Sequence, residues 1–166
     1  LAASHRHVFA VLLWFVLLPG PCGALLYRLS LIVRERWGRA LVEADKGFAT
    51  FAIQSFSIID WLPVRVTASA FAVVGDFEDA AYCWRTQAAQ WPDRDLGIVL
   101  AAGAGALGVQ LGRPVVEGVE ISDRAELGLG DPADVDFMQS AVGLVWRATV
   151  VWLLLLFLLG LASLVG

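Results

Sequence analysis

From Ala148 to Gly166 the chain reads ATVVWLLLLFLLGLASLVG, 19 residues without a charge. As a helix this run is about 28 Å long, close to the roughly 30 Å hydrocarbon core of a bilayer. Its Leu, Val and Phe residues all favour insertion into lipid. The run over 148–166 is therefore expected to be a terminal transmembrane helix. The rest of the chain agrees with that solvent: 58% of its 166 residues are apolar and 17% are charged, against about 25% charged in an ordinary soluble domain. So much apolar surface cannot be hidden inside a water-soluble fold of this size.

Three further apolar stretches precede the terminal one. Val8 to Val33 holds Pro19-Gly20-Pro21 at its centre, where two backbone donors are missing, so two half-helices or one sharply broken span are expected. Arg28 lies in the second half, where a charge costs roughly 2.5–3.5 kcal/mol unless it snorkels or pairs. Phe48 to Gly75 is interrupted by Asp60 and Arg65, and Leu96 to Leu111 is marginal in length for a span. Of the polar connections, Arg34 to Gly47 is the best cytoplasmic candidate by its basic residues. The first residue is Leu1, which reads as a fragment or a processed chain. Residues 1–166 are expected to form a single membrane domain, the C-terminal portion of a longer chain.

The net charge of −4 and the lack of a basic run argue against a nucleic-acid partner. Cys22 and Cys83 show no CxxC or Cys/His spacing and are expected to be inert thiols. The chain contains no Asn, which excludes N-glycosylation.

The segment SIIDWLPVRVT, Ser57 to Thr67, places an acid and a base five residues apart in apolar surroundings. Pro63 suits the first turn of a helix. Asp60 is then its N-cap, and the helix runs through Val74 to Gly75. Two readings stand side by side. In one, Asp60 only caps the helix and Arg65 snorkels to headgroups. In the other, Asp60 and Arg65 hold a polar, phosphate-bearing ligand at the membrane interface. Trp61 is an interfacial anchor in both.

Gly103, Gly105 and Gly108 match G-x-G-x-x-G literally, but no βαβ unit surrounds them. The rows Gly97, Ala101, Gly105 and Ala104, Gly108, Gly112 instead predict close helix packing. Gly75 to Arg85 reads as an amphipathic surface helix with Phe77, Ala80, Ala81 and Trp84 on one face. His5 and His7 are expected to be interfacial residues. No third metal ligand stands near them, and no Ser/His/Asp or Cys/His triad is supported.

Taken in order, FVLLPGPCGALLYR (Phe15–Arg28), DWLPVRVTASAF (Asp60–Phe71), AAGAGALGVQLGRP (Ala101–Pro114) and the terminal helix resemble the cobalamin-biosynthesis CobD/CbiB family of membrane proteins. The match follows that family's C-terminal portion, and its second and third blocks are the specific ones. The synthase members join adenosylcobyric acid to aminopropanol or its phosphate by an amide bond, with ATP. The resemblance thus implies ATP and Mg2+ as cofactors and a corrinoid or phosphate-bearing partner. It makes Asp60 catalytic, orienting an amine or a metal–nucleotide, with Arg65, Arg28 and Thr67 binding substrate. Synthase members carry Asn where this chain reads ASHRHVF, LSLIVRER and PDRDLG. The related AmpE branch, a non-catalytic signalling protein of the inner membrane, shares the Asp-Trp-hydrophobic-Pro-Val-Arg block and is the alternative. A transporter is disfavoured, because no inverted repeat is visible.

The expected fold is all-α: a polytopic integral membrane protein with a Pro/Gly-broken segment and a Gly-rich packing helix. Three to five segments would lie in the bacterial inner membrane, and the Gly-rich helix would also offer a face to a second copy.

Overall fold

The computed structural model describes residues 1–18, 21–40, 46–112, 116–117, 120–121 and 126–165. The chain is mostly helical and divides into two compact units, Ala2–Thr67 and Ala68–Gly166, the latter joined by Leu1. The division falls inside one helix, after Thr67.

The first unit opens with α1 (Ala2–Ser4), a π-helical turn (His5–Phe9) and α2 (Ala10–Leu17), which follow one another without a break. The Ala10 N–H reaches back to the His5 carbonyl, the wide spacing that defines the turn. Leu18 is extended, and α3 (Cys22–Ala40) starts after Pro21. Pro19 and Gly20, the centre of the expected break, lie outside the described residues. The first unit ends in α4 (Lys46–Val74), whose last turns belong to the second.

Tyr27 and Leu31 stand four apart on α3, so they share a face. That face meets Phe56 of α4 and Ala10 of α2, with Val11, Trp14 and Ile59 packed around them. The Tyr27 and Phe56 rings are tilted at 45° with centroids 5.7 Å apart, an aromatic pairing worth about 0.5–1.5 kcal/mol beyond its area. The Arg34 guanidinium lies 4.8 Å from the Phe56 ring centre and closes one side of the cluster.

Pro63 is inside α4, not at its start, so Asp60 is an interior residue and not the expected N-cap. The apolar run before it, Phe51 to Ile59, is itself helical, and the helix continues through the proline. An interior proline costs about 3 kcal/mol, partly because the carbonyl four residues back loses its donor. That carbonyl belongs to Ile59. The indole Nε1–H of Trp14, on α2, donates to it at 3.2 Å, which satisfies the orphaned acceptor from outside the helix.

In the second unit α4 stops at Val74 and Gly75, as expected. Asp76 then caps α5 (Phe77–Gln87), its carboxylate accepting from the Glu78 and Asp79 amides at 3.0 and 3.1 Å. The inward face of α5 is Ala80 and Cys83, while Phe77 is 65% exposed; it is rotated from the expected Phe77–Trp84 face. Burial, and next the neighbouring Asp79 charge, push the Cys83 thiol above its ordinary pKa, so it stays protonated and unreactive. A 3₁₀ turn (Ala88–Gln90) leads to α6 (Arg94–Leu107), capped by Asp93.

α6 is buried from Gly97 to Ala106. A methyl group on Gly105 would stand 2.5 Å from the Asp79 carbonyl oxygen and 2.8 Å from the Ala80 Cα, so glycine is what brings α5 and α6 backbone to backbone. Gly103 and Gly105 lie within the helix, and Gly108 is its left-handed C-cap at φ 65°. A phosphate loop needs such glycines at a helix N-terminus, so the G-x-G-x-x-G spacing is a packing and capping pattern.

Among the described residues, four two-residue strands depart from the all-α expectation. β1 (Val109–Gln110) pairs in parallel with β4 (Asp131–Pro132), and β2 (Val116–Glu117) pairs antiparallel with β3 (Glu120–Ile121). Gln87 of α5 ties this region down by exchanging two hydrogen bonds with the Gly128 backbone, at 2.5 and 3.3 Å. The last element, α7 (Asp136–Val165), starts twelve residues before the expected span.

Among the described residues two helices are long and apolar enough to cross a membrane, over Thr50–Val74 and Phe137–Ala162. Ala2–Leu17 is apolar but shorter. Leu153 to Leu155 and Phe157 to Leu159 are exposed on α7, a surface that fits a membrane protein.

Candidate functional site

The first unit buries four polar side chains in one connected chain of hydrogen bonds. Asp60 and Thr67 are seven residues apart, two helical turns, so both look out from the same side of α4. The imidazole of His5 stands between them. Its Nε2 is 3.1 Å from Asp60 Oδ1 and its Nδ1 is 3.0 Å from Thr67 Oγ1. The Tyr27 hydroxyl donates to the same Asp60 oxygen at 2.9 Å. His5, Tyr27, Asp60 and Thr67 are all at least 97% inaccessible to solvent.

Local structure places each member. The π-helical turn re-aims His5 off the register of α1. Tyr27 reaches Asp60 from the core face of α3, one turn above its contact with Phe56. A neutral ring protonated on Nε2 satisfies every partner: Nε2–H donates to the carboxylate and Nδ1 accepts from the Thr67 hydroxyl. In apolar surroundings an unpaired carboxylate or imidazole is costly, so each of these groups depends on the others.

Asp60 and Thr67, both named from the sequence, are therefore brought together. Asp60 and Arg65 are not. Arg65 lies about 140° further round the helix, where its Nη1 donates to the Trp61 carbonyl at 2.9 Å and its guanidinium sits 4.1 Å from the Trp61 ring centre. Arg28 is exposed on α3 and donates to His7 Nδ1 at 2.6 Å. The two arginines are thus half-open cations beside a closed carboxylate–imidazole–hydroxyl chain.

That chain corrects one sequence expectation: His5 is a buried partner and not an interfacial residue. The missed members are His5 and Tyr27. Their separations from Asp60 are 55 and 33 residues, too long for local spacing to register. The usable signal was a different one: a carboxylate in an apolar stretch needs donors, and His5 and Tyr27 are donors within the nearby apolar runs.

Among the described residues no group of three or more His, Cys, Asp and Glu side chains could hold a metal ion. Asp60 is the network's single carboxylate, with one oxygen already shared by two donors. What the arrangement can do is hold one carboxylate at a fixed position and orientation, with an imidazole and a hydroxyl behind it.

Comparison with known proteins covers these same residues. A model of the family described as CobD/Cbib protein matches residues 4–145. The "Cobalamin biosynthesis protein CobD" of Stutzerimonas stutzeri (strain A1501) is 39% identical over 149 residues, 90% of this chain and 48% of that protein. The protein of the same description from Chromobacterium violaceum is 38% identical over 145 residues, 87% of this chain and 46% of its own length. The chain spans about half the length of the curated relatives it matches. No solved structure matches it. The matched span takes in His5, Tyr27, Asp60 and Thr67 alike, and the chain belongs to the CobD/Cbib protein family.

Proposed function

We propose that this chain is part of a multi-pass inner-membrane enzyme of cobalamin biosynthesis, one that joins adenosylcobyric acid to aminopropanol or its phosphate through an amide bond. Support comes from the two curated relatives, both described as cobalamin biosynthesis proteins, and from the helices over Thr50–Val74 and Phe137–Ala162. The non-catalytic AmpE-like alternative is not favoured by those relatives.

The observation that carries the site assignment is the buried carboxylate of Asp60, held by His5 and Tyr27. Amide formation needs an amine aimed at an activated carboxyl group, and a fixed carboxylate is suited to orient that amine. Arg65 and Arg28 supply positive charge for a phosphate group. Thr67 acts behind Asp60 by steadying His5, since its hydroxyl is turned to the imidazole. His5 also answers for a difference in composition. It stands in ASHRHVF, where synthase members carry Asn, and like an amide it both donates and accepts.

The test is an amide-forming assay on the full-length protein in nanodiscs, with adenosylcobyric acid, aminopropanol phosphate, ATP and magnesium, beside an active synthase as control. Turnover should be abolished by Asp60→Asn. Arg65→Ala should raise KM for aminopropanol phosphate more than for aminopropanol. A folded, inactive wild type beside an active control would sink the enzyme reading.

A further inference from the structure

We propose that Trp14 is a positioning residue for Asp60, acting through the backbone carbonyl of Ile59. Pro63 has no N–H, so the Ile59 carbonyl lacks the helical donor that every neighbouring carbonyl of a regular helix would have. The Trp14 indole replaces it at 3.2 Å. Ile59 directly precedes Asp60, so this bond fixes the peptide plane from which the Asp60 side chain departs. Nine residues before Trp14 on the same helical segment, His5 holds the carboxylate itself. One segment thus grips two consecutive residues of α4, one by its main chain and one by its side chain.

A plain structural role for Trp14 would need only its ring, which packs against the Ala10, Tyr27, Leu31 and Phe56 cluster. The indole N–H does something the ring does not. It decides how far α4 bends at the proline, and with it the distance over which His5 must reach both Asp60 and Thr67, one on either side of Pro63. Without the donor the carbonyl would turn away from the helix axis toward another partner and take Asp60 with it.

Two substitutions separate these roles. Trp14→Phe keeps an aromatic ring and removes the donor. Pro63→Ala gives α4 its own donor to Ile59, making the indole bond dispensable. Because the catalytic readout rests on the amide-forming role proposed above, a second readout stands apart from it: the rate at which a water-soluble carbodiimide with glycinamide amidates Asp60 in the full-length protein, read by mass spectrometry and normalised to the exposed Asp76.

In the wild type Asp60 should resist modification. In Trp14→Phe it should be modified faster, and kcat should fall by about ten- to a hundredfold with KM changed by less than about twofold. In the Trp14→Phe/Pro63→Ala double variant both readouts should return toward wild type. Modification of Asp60 that is equal in all three proteins overturns the proposal, whatever the turnover. So does a Trp14→Phe effect that Pro63→Ala fails to relieve. An inactive wild type whose Asp60 labelling follows the expected pattern would sustain the positioning role and remove the amide-forming one.

Discussion

Asp60 depends on donors it does not share a helix with. His5 gives one and Tyr27 another, and removing either leaves a carboxylate in a dry place. His5→Ala is expected to lower stability by about 1.5–3 kcal/mol, the range for a hydrogen bond to a charged group. His5→Gln should cost less, because an amide still donates to the carboxylate. Denaturant titration in detergent, comparing both variants with the wild type, checks the ordering. At this scale the sequence was half legible. Asp60 stood out as an acid in an apolar stretch, and Thr67 through the family resemblance of its block. His5 did not, because a histidine flanking a membrane run usually sits at the interface, and nothing local signals a π-helical turn that draws it inward.

Helix–helix contacts were more legible than helix starts. The Gly97–Ala101–Gly105 row repeats at the helical period; α6 lays its Gly105 against α5 and its Gly97 against Ala88 and Trp91 around the 3₁₀ turn. Gly105→Ala should therefore destabilise by about 1–3 kcal/mol, as overpacked contacts do, since its added methyl meets backbone atoms that cannot step aside. Gly143→Ala on α7 meets nothing within 4 Å and should stabilise by about 0.5–1 kcal/mol through lower chain entropy. Thermal unfolding of the two single variants, with opposite shifts expected, decides the matter. The start of α4 was misplaced for a physical reason. Proline suits the first turn because its missing donor goes unused there, and Pro63 escapes that rule only because Trp14, 45 residues away in sequence, serves the abandoned carbonyl.

For the molecule as a whole, solvent was the easiest property to read, since it follows from summed hydropathy and needs no register. α7 carries the strongest signal, with exposed apolar side chains from Met138 to Leu161. Leu155→Arg should weaken its insertion by about 2.5–3.5 kcal/mol, read as a larger share of protein released from membranes by alkaline extraction. The short strands were illegible, being two residues each, and β1 and β4 pair across a long excursion: Val109 meets Asp131 and Gln110 meets Pro132. That pairing has a consequence for chain length. The chain leaves and returns at neighbouring points, so the traffic between them can grow or shrink without disturbing α6 or α7, and doubling its length would cost only about 0.6 kcal/mol in closure entropy. With both posts set in the ground, a longer or shorter path between them is expected to leave α6 and α7 where they are.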